Sequence, residues 1–220
     1  TASITATPNR LVLASVYNRI TSGSAANAPT LSGGGLTWVL VAGFNGATTN
    51  NHRRFSLFRA LGTTPSAGII TIDMAGQTQL HCVWSIQEFP VVNKSGTNGS
   101  GAVVQSATID SAGTAATTGL VTLAAFAATV NATFGTFVHF ANEASTAGGG
   151  FTKIHDVAQA ENNIDLMTEY QLANDTSVDA TWVTSSGHMG IAVEIKHGGG
   201  APLVNGGLVN AGLVNRGLVN

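Results

Sequence analysis

The chain is short of charge. Its 220 residues carry 9 Lys and Arg against 11 Asp and Glu, or 9% of the whole. A soluble domain of this size carries roughly 25%, or ~55 such residues. With a net charge of −2, no basic stripe is left to track phosphates, which sets aside electrostatic binding of nucleic acid. Charge-driven disorder is excluded as well, because 44% of the residues are hydrophobic and such chains collapse. A single cysteine, Cys82, rules out a disulfide within the chain and any cysteine-based zinc finger. No apolar run reaches the ~18 residues of a membrane-spanning helix. The opening Thr1-Ala2-Ser3-Ile4 lacks a basic stretch ahead of an apolar core, so no secretory signal is expected.

What is present is a succession of short apolar runs separated by Gly, Ser, Thr and Asn clusters every 10–15 residues or so, the pattern of an all-β sandwich. LVLASVY (11–17) is apolar on both faces, as in a central strand. LTWVLVAGF (36–44) is expected to place Leu36, Trp38, Leu40 and Phe44 on one face. Further strands are read at 53–61, 69–73 and 78–89. In the last, Leu80, Cys82, Trp84 and Ile86 point one way and His81, Ser85 and Gln87 the other; Pro90 ends it. The second half continues in the same style at 102–109, 120–126, 133–140, 151–155, 166–172, 180–184 and 188–196. There Met189, Ile191, Val193 and Ile195 are expected to face the core, with His188, Glu194 and Lys196 outward. About a dozen strands define a single jelly-roll-like β-sandwich over residues 1–197. Two smaller sandwiches divided at NKSGTNGSG (93–101) are the alternative. Residues 111–142 contain no Asp, Glu, Lys or Arg, which reads either as a subunit contact or as central strands joined by Ala/Thr turns.

Residues 198–220 differ in kind. Four pentads, APLVN, GGLVN, AGLVN and RGLVN, repeat Leu-Val-Asn at a period that fits neither a helix face nor a strand face. Four copies make too little of a solenoid to stack on itself. The arm, ~66 Å long if fully extended, is therefore expected to dock, with Leu203, Val204, Leu208, Val209, Leu213, Val214, Leu218 and Val219 as subunit-contact residues. The neighbouring copy is the expected host, and the chain's own sandwich the alternative.

Signals for chemistry are sparse. The six histidines, His52, His81, His139, His155, His188 and His197, show no HxH or HExxH spacing. His81 and Cys82 fall on opposite strand faces, which argues against a dyad and reads Cys82 as a small core residue. Glu88, Glu169 and Glu194 near strand ends are the candidates for a glycosidase pair, and read first as cap-bonding or solvated residues. Asp73, Asp110, Asp156 and Asp165 sit near turns where calcium binds in other proteins, but in no DxDxDG run. Trp38, Trp84 and Trp182 would make a sugar platform if exposed, and are read as core. The sequons at Asn93, Asn98, Asn131 and Asn174 are what an Asn- and Thr-rich chain produces by chance. Gly33-Gly34-Gly35 and Gly148-Gly149-Gly150 precede strands rather than helices, so they are not phosphate cradles. No catalytic residue, metal ligand or cofactor is expected.

The order NRLVLASVYNR, SGGGLTWVLVAGF, RRFSLFRAL, VWSIQEFPVV, GAVVQSATI and ATWVTSSGHMGIAVEIK resembles a β-sandwich domain of tailed-bacteriophage virion structural proteins. The likeness covers residues 1–196. It rests on Gly35-Leu36-Thr37-Trp38, on Trp84 with Glu88-Phe89, and on Val193-Glu194-Ile195. The resemblance implies a non-enzymatic structural protein made in the host cytoplasm and displayed on the virion surface. As head decoration it would be a multi-copy capsid-stabilising protein. Its partners would be other copies of itself and a major capsid or tail protein, with no nucleic acid and no membrane. A tail or collar fibre, or a receptor- or glycan-binding module that recognises a host surface glycan, is the alternative. The pentad arm lies outside the resemblance.

Overall fold

A computed structural model describes residues 1–199, apart from 2, 22, 48 and 49, and the backbone of 208–215. The protein is all-β and forms a β-sandwich. In chain order the strands are β1 (Ser3–Ile4), β2 (Leu11–Ile20), β3 (Thr30–Ser32), β4 (Val39–Asn45), β5 (Arg53–Ala60), β6 (Gly68–Ile69), β7 (Thr71–Asp73), β8 (Gln79–Phe89), β9 (Val103–Asp110), β10 (Ala116–Thr122), β11 (Ala132–His139), β12 (Thr146–Ala147), β13 (Thr152–Gln159), β14 (Ile164–Gln171), β15 (Ser177–Ser186), β16 (His188–Ile195) and β17 (Leu208–Asn215).

Two five-stranded antiparallel sheets face one another. The first has the order β17-β8-β2-β5-β4 and the second β13-β14-β11-β16-β9. β17 lies over β13, β8 over β14, β5 over β16 and β4 over β9. The core between them takes Leu11, Leu13, Tyr17, Leu57 and Phe89 from one sheet and Phe134, Val138, Leu166, Met189 and Val193 from the other. Alternate positions do not face water. Val12, Val16, Cys82, Trp84 and Ile86 sit in a second core under the short β1–β6 and β3–β7 pairs. Phe137, Met167 and Ala192 sit in a third, under the β10-β15-β12 sheet. Four layers explain why β2, β11 and β16 read as apolar or small on both faces: each is covered twice.

Two expectations are corrected by these layers. His188 and Glu194 do not face outward; at 5% and 0% exposure they are buried beneath the third sheet. In β4 the register shifts between Leu40 and Ala42. This bulge reverses the alternation, so Leu36 and Trp38 pack in the second core, Phe44 in the first, and Leu40 is 41% exposed.

The two halves of the chain repeat one topology. In the first half β2 pairs with β5 and β8, β4 with β5, β1 with β6 and β3 with β7. In the second, β11 pairs with β14 and β16, β13 with β14, and both β10 and β12 with β15. The correspondence reaches single residues. Gly33-Gly34-Gly35-Leu36-Thr37 precedes β4 as Gly148-Gly149-Gly150-Phe151-Thr152 leads into β13. A Cβ on Gly33 would run into the carbonyl oxygen of Ile69 in β6, and one on Gly148 into that of Asp179 in β15. The last strand of each half crosses to the other half's sheet: β9 pairs with β16, and β17 with β8. Residues 90–102 make the first crossing and 196–207 the second, and they meet at the Val92–His197 bridge.

Candidate functional site

β8 is eleven residues long, and all but Leu80 are buried. One of its edges bonds to β2. Its other edge takes β17, the middle of the pentad arm. Leu208 pairs with Gln87, Asn210 with Ile86, Ala211 with Ser85, Gly212 with Trp84, Leu213 with Val83, Val214 with Cys82 and Asn215 with His81. The register shifts by one residue at Val209. That bulge answers the odd period. Five residues alone would put successive leucines at positions of opposite parity; with one residue set aside, Leu208 and Leu213 stand opposite Gln87 and Val83, which share a face of β8. Leu203, Val204, Leu218 and Val219 lie outside the described residues. In the structure the backbone of 208–215 forms the fifth strand of the first sheet.

A second candidate surface is the outer face of the β10-β15-β12 sheet. Thr118 pairs with Thr181 and Thr122 with Ser177, and Thr146 also pairs with Thr181. These side chains are exposed together with Leu120 at 47% and Val183 at 85%. The charge-free stretch 111–142 therefore divides. β11 is wholly buried, which explains its lack of charge by packing, whereas β10 carries its uncharged residues to the surface.

The three strand-end glutamates do not converge. Glu88 accepts from Thr7 N at 2.9 Å, Thr7 Oγ1 at 2.8 Å and Arg10 Nη1 at 2.8 Å. Glu194 accepts from Gln105 Nε2 at 2.7 Å, Ala127 N at 3.1 Å and Asn131 Nδ2 at 2.5 Å. Glu169 accepts from Gly148 N at 2.9 Å, and burial pushes its pKa up to about 8. Glu88 is in the first sheet and the other two in the second. Glu169 stands opposite Gly135 and Glu194 opposite Thr133, on the strands flanking β11. Two strand spacings and a two-residue offset separate their Cα atoms by roughly 12 Å. Each carboxylate holds a connecting segment to its sheet, and a glycosidase pair is not assembled.

The structure brings together one buried polar group that the spacing did not announce. His139 and Asp165 are 1% and 0% exposed, with Nε2 and Oδ2 3.3 Å apart. Ser145 Oγ donates to the same Oδ2 at 2.5 Å. Burial first, and a hydrogen bond with Asp156 among lesser causes, raise the Asp165 pKa to about 6. Asp156 is also ion-paired with Lys153 at 2.5 Å. The His139 ring stacks on Trp182 at 4.6 Å and 6°, and His188 lies 5.2 Å from the same indole. The cross-strand pairing of His139 with both Asp165 and His188 was the only signal that could have located the group. The group lies between β11, β14 and β16 of the second sheet and Trp182 of the third.

The other candidates resolve into structure. Trp84 and Trp182 are 3% and 5% exposed, and Trp38 packs partly buried against the second core, so no sugar platform forms. His81 stacks on Tyr17 at 5.7 Å, in the layer opposite Cys82. Burial, with Arg19 and Arg53 nearby, lowers the His81 pKa to about 4, and burial pushes the Cys82 thiol up to about 12. Asp73 and Asp110 cap turns through Ala75 N and Ala112 N, and Asp110 also accepts from Ala47 N at 2.6 Å. Among the described residues, no three His, Cys, Asp or Glu side chains are grouped to hold a metal ion. Asn131, one of the sequon residues, is buried on Glu194.

No protein-family model matches the chain, and neither curated proteins nor solved structures provide a match.

Proposed function

We propose that the protein is a non-enzymatic structural subunit that works in many copies. Its setting is the surface of a tailed-phage virion, where it decorates and stabilises the capsid and docks through its pentad arm. The observation that carries this reading is the outer β10-β15-β12 face, where Thr118, Leu120, Thr122, Thr181 and Val183 make an exposed surface on which Asp179, opposite Leu120, is the one charged residue of the three strands. A protein that remains alone in solution protects such a face with charge. The glutamates add support, because each is committed to holding a connecting segment. The virion setting rests on the resemblance carried by Gly35–Trp38, Trp84 with Glu88-Phe89, and Val193–Ile195. The partners would be further copies and a major capsid or tail protein.

The test is to image purified particles of the phage that encodes the chain. A regular surface lattice of this sandwich, with the outer sheet face buried between neighbours, supports the proposal. Absence of the chain from the particles, or the same face turned to solvent in them, overturns it.

A further inference from the structure

We propose that the β8 edge is a receptor for Leu-Val-Asn pentads, and that it takes the arm of a second copy of this chain in exchange for its own. The inference deepens the multi-copy reading above by naming the contact.

Three observations support it. First, this fold joins two units by donating a last strand. β9, the last strand of the first half, does not complete its own sheet but bonds to β16 in the other. β17 does the same toward β8, across a connection of nearly equal length. Second, the two connections are tied to one another as far as the described residues run: Asn93 N donates to Lys196 O, Lys196 N to Ala102 O and Gly198 N to Val91 O. The second connection then continues in sequence as Gly200-Ala201-Pro202. From Gly199 to Leu208 it spans up to ~30 Å, against a radius of gyration of about 16 Å for a domain of this size. It is long enough to reach an adjacent copy. Third, the slot reads a ladder and a period rather than one unique segment. It takes eight residues holding two Leu-Val-Asn triplets, with one bulge between registers. The arm offers that frame three times, at 203–210, 208–215 and 213–220. The arm of a second copy presents the same frames.

The backbone ladder is the same whether the strand comes from its own chain or from another. The balance is then set by concentration. A short connection holds its own strand at an effective concentration of about a millimolar. Copies packed side by side on a shared surface reach the same value, so exchange there costs little.

The register provides the experiment. Val214 is the Cα partner of Cys82, the only cysteine, and both kinds of antiparallel pair place Cα atoms within disulfide range. The full-length V214C chain, half of it carrying an affinity tag, is mixed and oxidised at ~1 µM and at ~1 mM. The expected result is an intrachain disulfide alone at ~1 µM. At ~1 mM, tagged–untagged dimers should form tens of per cent of the product, the midpoint being set by the millimolar effective concentration. The full-length V219C chain, which reaches Cys82 after a five-residue slide, should give the same dimers. An intrachain bond alone at both concentrations overturns the exchange. Absence of any bond overturns the register, provided near-ultraviolet circular dichroism shows a folded chain. Crosslinking by V214C without V219C overturns the pentad receptor. Should V214C fail to fold, exchange is read with the unaltered chain: a 20-residue peptide of the four pentads at ~1 mM should displace the arm, seen as new cross-peaks for the 201–220 segment of the ¹⁵N-labelled protein. An unchanged spectrum overturns the proposal. None of these readouts involves a virion, so exchange can succeed where the particle assignment fails, and the reverse.

Discussion

Glu88 and Glu194 are the same residue of two repeats. Each is the penultimate residue of its strand, and each accepts the backbone N–H of the segment that crosses from an outer strand to a central one, at Thr7 and Ala127 respectively. Each also binds the residue just ahead of the central strand, Arg10 before β2 and Asn131 before β11. Replacing either by Gln turns an amide NH₂ toward donors. Buried hydrogen bonds to a charged acceptor are worth about 1.5–3 kcal/mol each. Glu194→Gln should therefore lower the unfolding free energy by about 3 kcal/mol. Glu88→Gln should lower it by less, because Arg10 is partly exposed. Urea denaturation checks both, and equal losses would contradict the difference in burial.

Glu169 predicts a pH dependence. Its pKa is raised from 4.5 to about 8, so the folded state holds a proton that the unfolded state releases. The stabilisation is fully present below pH ~4.5 and is lost as pH rises toward ~8. Relative to Glu169→Gln, whose amide oxygen still accepts from Gly148 N, the wild type should lose up to about 4 kcal/mol across that window. Thermal melts at pH 5 and pH 8 for both proteins measure it. Parallel pH profiles would show that Glu169 does not titrate in this range.

His81 acts in the opposite sense. Its pKa is lowered from 6.5 to about 4, so the folded state takes up its proton later than the unfolded state does. Its contribution is present above pH ~6.5 and is lost as pH falls toward ~4. His81→Gln should flatten the acid limb of the stability profile, read by chemical denaturation between pH 4 and 7.

The paired glycines test the repeat directly. Gly33→Ala and Gly148→Ala each push a methyl group into a backbone carbonyl of a neighbouring strand, β6 and β15 respectively. Gly33 carries the added cost of a φ of 104°. Both should destabilise by about 2–4 kcal/mol, visible as a fall in Tm. By contrast Gly149→Ala, where an added Cβ meets nothing within 4 Å, should be near neutral.

Val183→Lys places a charge on the outer sheet at a residue that is 85% exposed. The melting temperature should move little, since surface changes of this kind usually stay within about 0.5 kcal/mol. Self-association, read by sedimentation at increasing concentration, should weaken.

Much of the sandwich was legible from alternation. The apolar run of β2 and the alternating β8 and β16 carry their geometry in their spelling, because each face of those strands meets a packed layer. Three things were hidden. The reversal at Leu40 depends on a bulge, which alternation cannot encode. The burial of His188 and Glu194 depends on the β10-β15-β12 sheet, formed by segments far apart in sequence. The seating of β17 was obscured by its period, which makes sense only once Val209 is set aside. Of the candidate site, the pentads were visible as a repeat, but their receptor was not. β8 as spelled shows two faces and gives no sign of which edge lies open.

The crossing at Val92 and His197 also sets an order on folding. Leu208 pairs with Gln87, some 120 residues earlier in the chain. The first half can be made and begin to collapse, yet its sheet waits with an open edge until most of the second half has been synthesised. Such distant closure slows folding, and meanwhile exposes a hydrogen-bonding edge to any passing strand. In a cell making many copies at once, the strand that arrives first need not come from the same ribosome.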